Sequence, residues 1–195
     1  GENPGQLPIL QHALMRIWEA AGPSSHKNGG LSLDHYEKIG KLSGALSQHA
    51  NEAFDELGLK HQELAKKVFK CLTEKGMANR EIRRPMTIAD ICAVVEASEE
   101  DVKTVVECFR KEGRWFLMPP PAGATKKLAP DTLIDISHES LISGWDKLSK
   151  WVNEEAESAR TYKRLADTAI LKERGEEEFY RGPALQLALK WRRDN

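Results

Sequence analysis

The stretch from Ile134 to Val152 combines a strand pattern and a helix pattern, and this combination limits the folds open to the chain. Its isoleucines alternate with Asp135, which is the period-two pattern of a strand buried on one face. Apolar residues then recur at helical spacing from Leu141 onward. His138 therefore falls where a strand ends and a helix begins, near backbone N–H groups that can bind a phosphate. The alternative is that His138 only hydrogen-bonds nearby backbone at a tight junction.

Composition excludes several classes of protein. The chain has 195 residues and is 40% hydrophobic, which suffices for one sizeable core or two small ones. Its 29 basic and 30 acidic residues give a net charge of -1, whereas DNA-binding domains are often strongly basic. Cys71, Cys92 and Cys108 each lie on an apolar helical stripe, so we expect buried free thiols. Because no signal peptide or membrane span is visible, a cytoplasmic location is expected.

Residues 1–58 have the pattern of a helical subdomain. A turn at 3–5 precedes a helix whose first turn contains Pro8, and a loop is predicted from Gly22 onward. Ser32 can cap a short second helix, and a third helix follows. The residues predicted to be buried on the first helix are Leu10, Leu14, Ile17, Trp18 and Ala21, and on the third Leu46, Ala50, Ala53, Phe54 and Leu57.

Residues 59–152 have the element order of a winged helix. A helix ending at Gly76 is followed by a strand at 82–85 and by two helices that Thr87 and Ser98 can cap. Strands at 115–118 and 134–136 flank a loop that contains Lys126 and Lys127. Residues 153–195 read as a helical linker. The predicted fold is therefore mainly α: a helical subdomain, a winged-helix domain with a small β-hairpin, and a C-terminal helical linker.

Catalytic and metal-binding motifs are absent from the sequence. It contains no phosphate loop, no dinucleotide-binding glycine motif, no zinc-protease helix and no nucleophile elbow. We therefore expect no catalysis by this chain alone and no metal site. A winged helix can bind DNA through the helix after Ser98, but Glu99, Glu100 and Asp101 in its first turn would repel phosphates.

Three stretches together resemble one family, and they lie in the same order as in it. They are Pro4-Gly-Gln-Leu-Pro-Ile-Leu-Gln-His-Ala-Leu14, Leu31-Ser-Leu-Asp-His-Tyr36 and Ile136-Ser-His-Glu-Ser-Leu-Ile-Ser-Gly-Trp145. This combination resembles the helical and winged-helix segment of bacterial STAND NTPases of the AP-ATPase and NACHT type. These signal-transduction ATPases are related to plant resistance proteins and to the apoptosis activator. In the family, the ATPase core with its phosphate loop lies upstream of this segment.

The resemblance implies two nucleotide-binding residues. A proline at the start of the helical subdomain packs against adenine in the family, and Pro8 matches it. A histidine in a Met-His-Asp motif contacts the β-phosphate of ADP and holds the closed, inactive state, and His138 matches it. Ser137 replaces the methionine of this motif and Glu139 replaces the aspartate.

The function implied by the resemblance is regulatory. The segment would close over ADP or ATP bound to the upstream core and would relay the nucleotide state to downstream repeats. Its partners would be the P-loop ATPase domain and a repeat domain, such as WD repeats, of the same chain, with an oligomer on activation. The full-length parent would be an ATPase. Neither DNA nor a membrane is an expected partner. A winged-helix DNA-binding transcriptional regulator and a protein-interaction scaffold are the two alternatives.

Overall fold

The structure, a computed structural model, describes residues 6–28, 30–75, 81–121 and 128–194. These residues are mainly helical with a few short antiparallel strands, so the predicted fold class is confirmed. The chain divides into two compact units, Gly1–Val152 and Asn153–Asn195, called unit 1 and unit 2 below. The three-part division predicted from the sequence, at 58/59 and 152/153, stays a prediction.

The first helix, α1, spans Gln6–Asn28, and Pro8 lies in its first turn as predicted. Gly22 has φ 67° and ψ 172°, so the helix is kinked there. Pro23 then begins a second helical segment, where its missing N–H is not needed. The helix end predicted at Gly22 is confirmed by its non-helical backbone, whereas the loop predicted for residues 23–28 is wrong, because Pro23 begins a new helical segment.

Two further helices confirm the sequence prediction. Helix α2 (Leu33–Lys38) begins after Ser32, whose hydroxyl accepts from the backbone N–H of His35 while the His35 ring accepts from Ser32 N. Helix α3 (Lys41–Asp55) begins after Gly40, whose φ of 81° is left-handed. A Cβ on Gly40 would lie 2.9 Å from the side-chain oxygen of Gln48, so this start of the helix favours glycine.

Of the α1 residues predicted to be buried, Leu10, Leu14 and Trp18 are instead exposed, whereas Ile17 and Ala21 are half-buried. Leu10, Leu14 and Trp18 are 45%, 51% and 53% exposed. The buried contact is made by Ala13, which is 1% exposed and packs with residues of the α2–α3 region. Because alanine is small, α1 can lie close to α3 on that side, and the larger apolar residues face away.

A short hairpin follows the fourth helix. Helix α4 (Leu59–Cys71) leads into strand β1 (Thr73–Lys75), which pairs antiparallel with β2 (Glu81–Arg83). Strand β2 confirms the strand expected near Ile82, whereas β1 was not predicted. Helix α4 ends at Cys71, and the hydroxyl of Thr73 donates to the carbonyl of Phe69 at 2.9 Å. This bond satisfies a carbonyl of the last helical turn as the chain becomes extended.

A second, three-stranded sheet packs with two capped helices. Its strands are β3 (Met86–Thr87), β4 (Leu117–Met118) and β5 (Leu133–Ile136), with β5 in the centre and both pairings antiparallel. Helices α5 (Ile88–Val95) and α6 (Glu99–Arg110) follow β3. The hydroxyls of Thr87 and Ser98 accept from the backbone N–H three residues later, as the capping patterns predicted.

The helix predicted from Leu141 to Val152 is broken at Trp145. Helix α7 (Ser140–Gly144) ends there, Trp145 has extended backbone, and α8 (Asp146–Glu173) begins at the next residue. Two contacts with α3 explain the break. A Cβ at Gly144 would lie 2.7 Å from the Leu46 side chain, and the Ser47 hydroxyl accepts from Asp146 N at 3.3 Å. The bend directs the indole of Trp145 into the core.

One continuous hydrophobic core lies in unit 1, and it draws on α3, α4, α5, α6, α7, the sheet and the first turns of α8. Its largest fully buried side chains are Trp145, Phe69, Phe109, Leu72, Ile88, Ile91, Leu117, Ile134, Ile136, Leu141, Ile142 and Leu148. The packing of β5 and α7 into this core fixes both ends of the turn that carries His138.

Unit 2 contains the rest of α8 and a last helix, α9 (Gly182–Asp194), so these residues are helical as predicted. Trp191 Nε1 donates to the Ser158 hydroxyl at 2.9 Å, and the Trp191 and Tyr162 ring centroids are 6.0 Å apart. No residue between 153 and 193 is buried. The contacts between α8 and α9 in this unit are therefore made by partly exposed rings and hydroxyls, without a buried hydrophobic core.

Other sequence expectations have mixed outcomes. The three cysteines are free, but each is half-buried rather than buried, because each lies at the margin of its helix face. No helix within the described ranges is long and apolar enough to cross a membrane. The helix predicted to end at Gly76 is wrong in its last turn, because α4 ends at Cys71 and Thr73–Lys75 pair with β2. The turn predicted at 3–5 and the loop lysines 126 and 127 lie outside the described residues.

Candidate functional site

His138 lies in the turn between β5 and α7, and its side chain is half-buried. Its Nδ1 lies 3.1 Å from the backbone nitrogen of Ser140 and 3.0 Å from the Ser140 hydroxyl. Because a backbone N–H can only donate, Nδ1 accepts, and the neutral ring carries its proton on Nε2. Within the described residues, no hydrogen bond involves Nε2. His138 therefore has a held ring and an N–H donor that is available to a ligand.

Of the two sequence interpretations of His138, the structure shows the contact with nearby backbone, whereas binding of a phosphate stays a prediction. The ring does hydrogen-bond nearby backbone, as the structural interpretation expects, but this uses only Nδ1. The helix dipole contributes less than the sequence suggested, since α7 spans only Ser140–Gly144. Any affinity of this corner for an anion must therefore rest mainly on the Nε2–H group.

Arg83 contacts the turn that carries His138 on both sides of that residue. Its Nε donates to Glu139 Oε1 at 2.7 Å, and its Nη1 donates to Asp135 Oδ2 at 2.8 Å and to the Ile136 carbonyl at 3.1 Å. The hydrogen bond from Arg83 lowers the pKa of Glu139, and the same bond raises the pKa of Arg83. The sequence did not indicate Arg83, because its partners lie more than fifty residues away along the chain.

Pro8 and His138 lie on connected elements. Pro8 and His12 are four residues apart on α1, so they share a helix face. The His12 ring lies 5.6 Å from the Phe116 ring, and the Phe116 carbonyl accepts from Ser137 N at 3.0 Å. Helix α1 also packs against α7. Pro8 therefore lies on the helix that packs against α7, which is the helix that follows the turn of His138, and the sequence did not reveal these contacts.

A pair of histidines joins α1 to α3 beside this connection. His49 Nδ1 and His12 Nε2 are 3.2 Å apart, and His49 is buried. Burial, with the nearby charge of Arg16, lowers the pKa of His12 to about 4 and that of His49 to about 3. Arg16 itself binds both carboxylate oxygens of Glu52, at 2.8 and 2.7 Å. Both rings are therefore neutral near pH 7, and one donates to the other.

The surface of α6 does not suit a DNA groove. Its first turn carries Glu99, Glu100 and Asp101. Asp101 binds Lys60 at 2.8 Å, and the hydrogen bond from that lysine holds the pKa of Asp101 well below its usual range. Glu99 and Glu100 remain exposed. A phosphate backbone approaching this turn would meet carboxylates, which is unfavourable.

An open groove lies between α6 and the residues that follow it, and it is distinct from the His138 corner. Trp115, Met118 and Pro120 line it together with several carboxylates, but neither Pro8 nor His138 does. No cluster of three or more potential metal ligands occurs in the described part of the chain. This groove therefore contains neither of the two residues that the sequence predicts to bind a nucleotide.

Comparisons with known proteins agree with the family suggested by the sequence. The family model nSTAND1, described as novel STAND NTPase 1, matches residues 1–178. Searches of curated proteins and of solved structures gave no match. The matched region includes all of unit 1 and the turn that carries His138. The chain belongs to the nSTAND1 family of STAND NTPases.

Proposed function

We propose that this chain is the nucleotide-sensing regulatory segment of a STAND ATPase. It closes over ADP or ATP bound to a P-loop core elsewhere in a longer protein, and it relays the nucleotide state to downstream repeats. Family membership supports this proposal, as does the resemblance of residues 59–152 to a winged helix in their order of elements. The observation that carries this proposal is the Nε2–H donor of His138, which lies in a turn fixed by the hydrophobic core of unit 1.

The chemistry of His138 suits the β-phosphate of ADP. A hydrogen bond to a phosphate oxygen is charge-assisted, and its contribution is about 1.5–3 kcal/mol. The neutral ring needs no proton uptake to make this bond, because Nδ1 already accepts from Ser140. The bond would form only when the segment closes on the core. Nucleotide binding would then bias an equilibrium between a closed and an open state.

The exposed apolar face of α1 supports the proposal that this segment docks onto the P-loop ATPase core. Leu7, Leu10, Leu14 and Trp18 recur at helical spacing and are 62%, 45%, 51% and 53% exposed. Pro8 lies in the same first turn and is half-buried. We propose that the P-loop core covers this face in the closed state and that Pro8 then packs against the adenine.

Loss of the His138 donor should weaken nucleotide retention. In the full-length protein, we expect His138→Ala to release ADP roughly ten- to a hundredfold faster than the wild type, because one charge-assisted hydrogen bond is lost. His138→Gln is the matched control, since its amide can place an N–H donor near the position of Nε2 and should restore part of the retention. Release of fluorescently labelled ADP measures the rates. Equal rates for wild type and His138→Ala would refute the sensor assignment.

The α1 surface gives a second test. We expect Leu14→Glu to accelerate ADP release about tenfold, because a buried leucine contributes roughly 1.5–3 kcal/mol to an interface. The free energy of unfolding of this chain should change by less than about 0.5 kcal/mol, since Leu14 is 51% exposed. Leu59→Glu is the control, because Leu59 is 83% exposed on another helix. If both variants release ADP at the wild-type rate, α1 does not dock onto the P-loop ATPase core.

The two alternatives make different predictions. A transcriptional regulator would bind duplex DNA with an affinity that falls as salt rises. Fluorescence anisotropy with labelled duplex at low and physiological salt tests this, and salt-sensitive binding would favour the regulator despite the carboxylates of α6. A scaffold would bind its partner regardless of nucleotide. A full-length protein that retains no nucleotide would favour this third function.

A further inference from the structure

The turn from Asp135 to Glu139 is held by one side chain from a different part of the fold. Arg83 makes three hydrogen bonds to it, with Asp135 and the Ile136 carbonyl before His138 and with Glu139 after it. These contacts lie on both sides of His138 in the chain. A shift of the turn in either direction would therefore break at least one of them.

Arginine is suited to this arrangement. Its planar guanidinium presents several N–H groups in fixed directions, whereas a lysine has one ammonium on a flexible stem. Asp135 depends on this contact, because its other carboxylate oxygen, Oδ1, is buried and has no partner within the described residues. The geometry therefore requires a side chain that donates to both carboxylates at once. Arg83 does so through Nη1, which binds Asp135 Oδ2, and through Nε, which binds Glu139.

The backbone of Arg83 is itself anchored to the core. Arg83 pairs with Thr73 across the β1–β2 hairpin, and the next residue, Arg84, donates its N–H to the Leu72 carbonyl at 2.9 Å. Leu72 is fully buried. The guanidinium therefore extends from a fixed strand, so that it can hold the turn rather than move with it.

We propose that Arg83 is a positioning residue for nucleotide sensing: it holds the Asp135–Glu139 turn so that the Nε2–H of His138 faces the terminal phosphate of a bound nucleoside diphosphate. This inference rests on the proposed function of His138. The positioning itself is a property of the chain without nucleotide. Arg83 acts through the turn in this arrangement, because its Nε and Nη1 donate to Glu139, Asp135 and the Ile136 carbonyl.

The first test compares ADP release from variants of the full-length protein. We expect Arg83→Lys to release labelled ADP about tenfold faster than the wild type, because a flexible ammonium cannot hold these separated acceptors in fixed directions as a planar guanidinium does. Arg84→Ala is the matched control, since it removes the adjacent arginine, whose side chain is exposed, and should leave the rate unchanged. Urea unfolding of each variant shows whether it remains folded. Glu139→Gln, which weakens one contact only, should give an intermediate rate.

The second test needs no nucleotide. In this 195-residue chain labelled with ¹⁵N-histidine, the ring nitrogen shifts at pH 8 report which nitrogen of His138 carries the proton. We expect a single Nε2–H form in the wild type and in Arg84→Ala, and a mixture of both forms in Arg83→Lys. A single form in all three proteins would overturn the inference.

Together the two tests separate failure of this inference from failure of the proposed function. If His138→Ala accelerates ADP release but Arg83→Lys does not, Arg83 has no positioning role in sensing. If His138→Ala leaves ADP release unchanged while Arg83→Lys still gives a mixture of ring forms, the sensor function fails and the positioning of the ring stands.

Discussion

Replacing Trp145 by alanine is expected to lower the free energy of unfolding of this chain by about 4 kcal/mol. The indole is 0% exposed, and its ring centroid lies 5.1 Å from that of Phe69 and 5.3 Å from that of Trp151. Its Nε1 also donates to the Asn51 side chain at 2.9 Å. Alanine would leave a large cavity among these rings and would remove the partner of Asn51.

Two other substitutions act as controls for this loss. Trp115→Ala should cost no more than about 1 kcal/mol, because Trp115 is 45% exposed. Trp145→Phe keeps an aromatic ring but loses the bond to Asn51, so its effect should fall between those of the two alanine variants. Urea unfolding followed by circular dichroism measures all three, since fluorescence would change with the tryptophan itself. A loss below about 2 kcal/mol for Trp145→Ala would show that the core closes around the cavity.

Features determined by neighbouring residues could be predicted from the sequence. Thr87 and Ser98 cap α5 and α6 because a hydroxyl and a backbone N–H three residues later are close in any helix start. Strand β5 was predicted because its two isoleucines alternate with Asp135. The place of His138 between a strand and a helix followed from the same local patterns, whereas its ring form depends on one hydrogen bond to Ser140.

Features determined by distant contacts could not be predicted. The face of α1 that is buried depends on how closely the helix approaches α3, and Ala13 rather than Leu10 or Leu14 makes that contact. A periodic apolar pattern cannot distinguish a face buried in this chain from one that another domain could cover. The break at Trp145 likewise depends on Leu46, which lies about a hundred residues earlier.

The site also shows why one sequence gives only part of its geometry. His138 could be identified by its position and by the family motif, but nothing near Arg83 in the sequence marks it as a partner of the turn. The pairing requires the β1–β2 hairpin to form beside β5, and that arrangement is set by the core. Residues that support a site from other elements are therefore found from the structure.

Lowering the pH from 7 to 5 is expected to destabilise unit 1 by about 3 kcal/mol through His12 and His49. Their folded-state pKa values of about 4 and about 3 lie below the ordinary value of 6.5, so the unfolded chain binds more protons between these pH values. The stabilising contribution is fully present above about pH 6.5 and is lost as the pH falls toward 4. Each histidine can contribute at most about 1.4 kcal/mol per pH unit, and the partial exposure of His12 reduces the sum.

The main physical cause is burial of the two rings, and the nearby arginines and the geometry of the pair add to it. A proton on the accepting nitrogen would set two N–H groups against each other across 3.2 Å. A proton on either ring would place a positive charge near Arg16 and, for His49, near Arg114 as well. The double variant His12→Gln/His49→Gln keeps amide groups that can hydrogen-bond, and it keeps every other histidine. Urea unfolding at pH 7, 6 and 5 should therefore show a steeper loss of stability in the wild type than in the double variant. Carboxylates ordinarily titrate nearer pH 4, so they contribute little in this window. Parallel losses in the two proteins would place the acid sensitivity elsewhere in the chain.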